Sequence, residues 1–167
     1  VPNQATLHQR LELQEDVSDA NELTRSQLIH QASDALLKLG SSSTPAVSQV
    51  YAQQLTLPAG PLTVDLAALV DGAGQALDLT GLKAQVIKIV NAPKSGGANT
   101  AGLNVVPAAV NGYQWAGDAD SEATLAPGGV LTIYNPEGNP DVGASAKDIT
   151  FSSADTDAVF QLMIAAG

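Results

Sequence analysis

The chain predicts an all-β protein: a two-sheet antiparallel β-sandwich, jelly-roll-like, preceded by an N-terminal arm or short helix. Three observations carry the prediction. From Leu55 onward, short segments of alternating apolar and polar residues are separated by Gly, Pro, Asn and Asp turns, the cadence of an all-β domain. A sheet made of such pieces buries one face, so a second sheet must pack against it. No segment repeats at a period of about 20–50 residues, which sets solenoids and propellers aside.

In chain order, residues 1–33 read as an arm or docking segment and 34–167 as the sandwich, with Gly40-Ser41-Ser42-Ser43-Thr44-Pro45 as a linker-like stretch between arm and body. Thr6 to Leu13 alternates as a strand with Leu7, Leu11 and Leu13 inward. Between Asp19 and Leu39 two signals conflict. Leu28, Ala32, Leu36 and Leu39 fall at helical spacing, with Gly40 where a C-terminal cap belongs, whereas Leu37 and Leu39 flank Lys38 in strand fashion. Helix and strand both stay open for 19–39.

The body reads more plainly. Val47–Leu57 and Leu62–Leu66 predict strands, and Asp71-Gly72-Ala73-Gly74 a hairpin or crossover turn. Ala84–Val90 is apolar at both parities and predicts a strand whose two faces are both partly covered, closed by the loop Asn91–Thr100. Leu103, Val105 and Val106 form a short strand ended by Pro107. Val130–Tyr134, set between Pro127-Gly128-Gly129 and Asn135-Pro136, predicts a central strand. Ile149 and Phe151 mark the next strand, and Phe160, Leu162 and Ile164 mark the last, over about 158–165. The polar run Ser152–Asp157 makes these two hairpin neighbours.

Composition excludes several functions. At 167 residues the chain is long enough for one domain with a sizeable core. It carries 7 basic and 17 acidic residues, a formal charge of −10, and the basic ones are scattered. Displacing counterions from phosphate needs basic groups gathered together, so nucleic acid is not expected as a partner, nor is an anionic membrane. With no cysteine, disulfides and thiolate metal sites are excluded. No apolar stretch approaches the ~20 residues that cross a bilayer, and Val1-Pro2-Asn3-Gln4 does not read as a signal peptide.

The residues equipped for chemistry are few. His8 and His30 lie in polar surroundings with no nucleophile elbow nearby, and a zinc site would have to be built from them and carboxylates alone. Asp118, Asp120 and Glu122 alternate in one loop and suit Ca²⁺ by oxygen chemistry, but lack a full acidic calcium loop. Asp155 with Asp157, and Asp16, Asp19 and Glu22, are further carboxylate groups that turn chemistry and solubility explain. Tyr113 and Trp115 form the most conspicuous aromatic pair, a core or intersubunit plug or, alternatively, a ligand-stacking pair. No catalytic, cofactor-binding or metal-ligating residue is assigned, no cofactor is expected, and an enzyme is not expected.

One resemblance supplies a function. Its residues run in order from Ser42-Ser43-Thr44-Pro45-Ala46-Val47 through Leu57-Pro58-Ala59-Gly60 and Leu62–Leu69 to Asp71-Gly72-Ala73-Gly74 and Leu79-Thr80-Gly81-Leu82-Lys83. They continue with Asn111-Gly112-Tyr113, Ala126-Pro127-Gly128-Gly129, Val142–Ile149, Ser152-Ser153-Ala154-Asp155 and the final apolar strand. This ordered set, from about Asp34 onward, resembles the small structural proteins encoded with the capsid genes of tailed bacteriophages and related prophages, described as head decoration or accessory virion proteins. The resemblance implies a non-enzymatic β-sandwich on the capsid surface of a virion, with the major capsid protein as partner and a homo-oligomeric state. It also tilts residues 25–39 towards strands. The alternative is a carbohydrate- or receptor-binding sandwich of a fibre or secreted protein, resting on Tyr113 and Trp115. In either case the leucines of residues 1–33 have no clear place in the sandwich, so this segment is expected to make the principal contact with a partner or sister subunit.

Overall fold

The structure, a computed structural model, describes residues 4–17, 26–42, 44, 46–92, 99–118, 120–137 and 139–167, and within the first two segments it describes side chains at Thr6 and Leu7 and from Lys38 onward. Among the described residues every regular element is a strand: β1 (Gln4–Val17), β2 (Ser26–Gly40), β3 (Gln49–Thr56), β4 (Leu62–Asp65), β5 (Leu69–Val70), β6 (Ala76–Leu77), β7 (Ala84–Val90), β8 (Leu103–Pro107), β9 (Ala123–Leu125), β10 (Val130–Tyr134), β11 (Asp148–Ser153) and β12 (Val159–Ala166). Every strand pair is antiparallel. Two four-stranded sheets form the body: sheet I in the order β10-β7-β12-β3, and sheet II in the order β4-β11-β8-β9. They pack face to face as the expected sandwich.

The period of two decides which side chains meet between the sheets. Ile87 and Ile89 of β7, Phe160, Leu162 and Ile164 of β12 and Tyr51 of β3 face Leu103 and Val105 of β8 and Ile149 and Phe151 of β11, all in one buried cluster. The Phe151 and Phe160 rings stack across the interface with centroids 4.5 Å apart. Each fully buried side chain of this size contributes about 1.5–3 kcal/mol. Buried amides tie the layers at one end, where Asn91, just past β7, donates to the Leu125 carbonyl of β9 at 2.8 Å. Asn99 donates to Asn91 Oδ1 at 2.6 Å and to the Val159 carbonyl at 2.7 Å, and accepts from the Val159 N–H.

One open alternative is resolved and two expectations are corrected. Over residues 26–39 the backbone is strand, the alternative towards which the resemblance tilts, because β2 pairs along its length with β1; residues 19–25 lie outside the described set, as does most of the 91–100 loop. β10 is an edge strand of sheet I, not a central one: β-branched and aromatic composition fits either place, and here Val130 and Tyr134 face outward. Ile149–Phe151 and the last strand are not hairpin neighbours. β11 and β12 lie in opposite sheets, and the 154–158 link crosses between them. Alternation cannot tell a paired strand from a facing one.

The N-terminal segment forms a hairpin of its own. β1 and β2 make a separate two-stranded sheet that runs across the expected arm boundary and ends at Gly40, whose carbonyl accepts from Val47 N–H at 2.8 Å. β1 and β2 are therefore not strands of either sandwich sheet.

Candidate docking surface

The two sheets turn very different faces outward. On sheet II the outward positions are mostly polar, with Val106 the apolar one beside Thr150, and two pairs are bonded across strands: Thr63 and Thr150 hydroxyls stand 3.2 Å apart, and Thr124 Oγ1 donates to Asn104 Oδ1 at 2.7 Å. At the same sheet the Lys147 ammonium pairs with the Asp65 carboxylate. Partial desolvation works against that carboxylate, but hydrogen bonds from Lys147 and from the Ala67 N–H outweigh it and hold Asp65 below its ordinary pKa. Sheet II presents a finished aqueous surface.

Sheet I does not. Its register aligns three outward rows across the four strands: Tyr134, Val86, Ala165 and Val50; then Thr132, Lys88, Met163 and Ala52; then Val130, Val90, Gln161 and Gln54. Lys88 is the one charged residue among these positions. Val130 is 57% and Tyr134 38% exposed, so the β10 side of the face lies open. The hairpin base covers part of the opposite corner, where Leu39, 3% exposed, packs with Val47, Val86 and Ala165. Thr6 and Leu7 overhang the middle row, leaving a cleft of about 440 Å³ above Lys88 and Met163.

In the hairpin, the register slip after Leu11 adds its extra residue to β2, so the parity of β1 is unbroken. Leu7 of β1 roofs the cleft.

The residues singled out by chemistry do not converge. His8 is paired in register with Leu36 and His30 with Leu13, so their backbones stand about 17 Å apart along the hairpin. Asp118 Oδ1 caps its own turn by accepting from Asp120 N–H at 3.1 Å, and Asp120 and Glu122 are exposed beside it. Asp155 accepts from the Thr100 N–H and hydroxyl, which depress its pKa. Among the described residues no three His, Asp or Glu side chains gather as a metal site. Asp16 lies in β1, while Asp19 and Glu22 fall outside the described residues.

Asp71-Gly72-Ala73-Gly74 is a turn, linking β5 to β6, with Asp71 Oδ1 accepting from Ala73 and Gln75 N–H and Gly74 at φ 78°. Tyr113 and Trp115 are buried, at 0% and 3% exposure, and form a core plug. The Tyr113 hydroxyl donates to the Pro140 carbonyl and accepts from Ala84 N–H, and burial pushes its pKa up to about 12. No stacking pair is left for a ligand. What sequence reasoning missed is the outward face of sheet I, although the double-sided apolarity of Val86–Val90 was its signal.

Fold and surface together define an all-β sandwich with one mostly polar outer face, one mostly apolar outer face and a two-stranded hairpin whose base lies on the apolar one. Comparison of the chain with protein-family models, with curated proteins and with solved structures finds no match in any of the three.

Proposed function

We propose that the protein is a non-enzymatic virion structural protein that binds a bacteriophage capsid and stabilises or decorates it, with the major capsid protein as partner. The observation that carries the reading is the contrast between the outward faces: a bonded polar surface on sheet II and an open apolar surface with an adjoining arm on sheet I. Apolar area of this kind marks a contact with another macromolecule. A small domain with one wet face and one docking face suits a fixed place on a shell. The ordered residues that resemble those of head decoration proteins support a bacteriophage capsid as the shell.

Mixing the purified chain with coat-protein shells should give saturable, stoichiometric co-sedimentation and raise the melting temperature of the shells. Imaging of the loaded shells should show the chain at symmetry-related positions. Shells that sediment without the chain at saturating concentration refute the reading. The carbohydrate-binding alternative has lost its stacking pair to the core, where Trp115→Ala would lower stability by about 3–5 kcal/mol.

A further inference from the structure

We propose that the free edge of β10 is the seat for β10 of a second copy of this chain, the two strands pairing antiparallel about a twofold axis so that sheet I of one copy continues into sheet I of the other. The inference needs no shell and stands apart from the capsid reading.

The backbone of this edge is aimed outward. Among the described residues β10 pairs with β7 alone. Asn91 N–H donates to the Gly129 carbonyl and Asn135 N–H to the Gln85 carbonyl, both in line with the β10–β7 register, so Leu131 and Ile133 between them bond β7. Val130, Thr132 and Tyr134 therefore turn their N–H and C=O groups away from the sheet, a row of donors and acceptors that matches another extended strand. The opposite edge of sheet I is guarded: the 71–74 turn lies against β3, where a side chain added at Gly72 would stand 3.0 Å from Gln53 Nε2. β10 has no such guard among the described residues, and it carries no bulge, no proline and no charge.

The sequence of the strand identifies the occupant as a second β10. Val130-Leu131-Thr132-Ile133-Tyr134 is apolar on either side of a central threonine, so an antiparallel copy centred on Thr132 is self-complementary. On the outer face Val130, 57% exposed, meets Tyr134 of the other copy, 38% exposed, and a β-branched side chain against an aromatic one is a favourable cross-strand pair. Thr132 meets its own symmetry mate, hydroxyl to hydroxyl. On the inner face Leu131 and Ile133, half-buried against the core, meet each other and carry that core across the axis. No Asp, Glu, Lys or Arg lies between Glu122 and Glu137, so no like charges face each other along the paired strands although each copy has a formal charge of −10. One such edge per copy, paired with itself, closes the assembly at two.

The test uses the full-length chain alone. Sedimentation velocity should show a dimer forming at micromolar concentration, weakened about tenfold or more by Thr132→Lys and equally by Thr132→Glu, because each variant sets two like charges against each other on the axis. An equimolar mixture of the two variants should restore the dimer, since position 132 then meets an opposite charge at position 132. A monomeric native chain at ~100 µM, or a mixture no tighter than either variant, overturns the proposal.

Because the chain has no cysteine, a second measurement is clean. Directly opposed residues that bond across an antiparallel pair have Cα atoms about 5.5 Å apart, within reach of a disulfide. Thr132→Cys chains should therefore oxidise to a covalent dimer far faster than chains carrying Thr63→Cys on β4, the edge strand of sheet II. Equal rates also overturn it. Circular dichroism of each variant separates lost association from lost fold.

Discussion

Tyr113 illustrates how one buried polar atom can organise a corner of the fold. Its hydroxyl links the start of β7 to the 140 loop by two hydrogen bonds, and the chain turns sharply to deliver it: Asn111 takes φ 56°, and a side chain at Gly112 would collide with the Ala108 carbonyl oxygen. Removing the hydroxyl by Tyr113→Phe strands the Ala84 N–H and should cost about 1–3 kcal/mol at neutral pH, read from chemical denaturation. The folded pKa of Tyr113 is raised to about 12, and that of Tyr51 is raised as well by burial. The unfolded chain therefore releases these protons first, so stability is full below about pH 10 and falls as pH rises towards 12. The Phe variant should show a shallower alkaline fall, with the Tyr51 share remaining.

Acid acts through Asp65 and Asp155, whose depressed values mean that the stability they add is present above the ordinary carboxylate range and is lost as pH drops through their folded pKa values. Asp148 opposes them, raised by desolvation and by the Asp65 charge. Melting temperatures between pH 5 and 2 should fall in the native chain and fall less in Asp65→Asn.

For single strands, much was legible in the sequence. The alternation of Phe160, Leu162 and Ile164, the pairing-ready run Ala84–Val90 and the Asp71–Gly74 turn each specify their own local structure, because a period of two and a turn residue act over a few positions. What could not be read is which strand lies beside which. Phe151 and Phe160 satisfy the same inward pattern whether paired in one sheet or stacked from opposite sheets, and Val130–Tyr134 has the composition of a central strand while sitting at an edge. The candidate surface was half legible for the same reason: Val86 and Val90 signalled cover on a second face, but only the register lines them up with Tyr134, Met163 and Val130. The arm is separable by this logic. Deleting residues 1–37 keeps Leu39 among Val47, Val86 and Ala165, and should leave a cooperatively melting β protein within a few degrees of the native melting temperature. A truncated chain without a sharp melt would place the hairpin inside the folding unit.

Across the whole molecule, one cluster contains the inward residues of both sheets, so neither sheet has a core of its own. Unfolding of the sandwich should therefore be a single transition, with the fluorescence of Trp115, the chain's one tryptophan, coinciding with far-ultraviolet circular dichroism in the arm-deleted protein. Phe151→Ala should lower stability by about 3–5 kcal/mol, and Phe160→Ala by a similar amount. The double variant should cost less than the sum, because the first truncation already removes the stacked partner.

The position of β12 has a consequence for synthesis. It lies between β3 and β7, which do not pair with each other, so sheet I has no continuous hydrogen-bonded middle until residues 159–166 have left the ribosome. Until then Tyr51, Ile87 and Ile89 belong to strands awaiting a neighbour more than 60 positions downstream of each, and such distant pairings form slowly. The nascent chain would spend that interval with unpaired strand edges, the state in which all-β proteins aggregate and chaperones bind. Expression yield should therefore depend more on translation rate and temperature than on the stability of the finished sandwich.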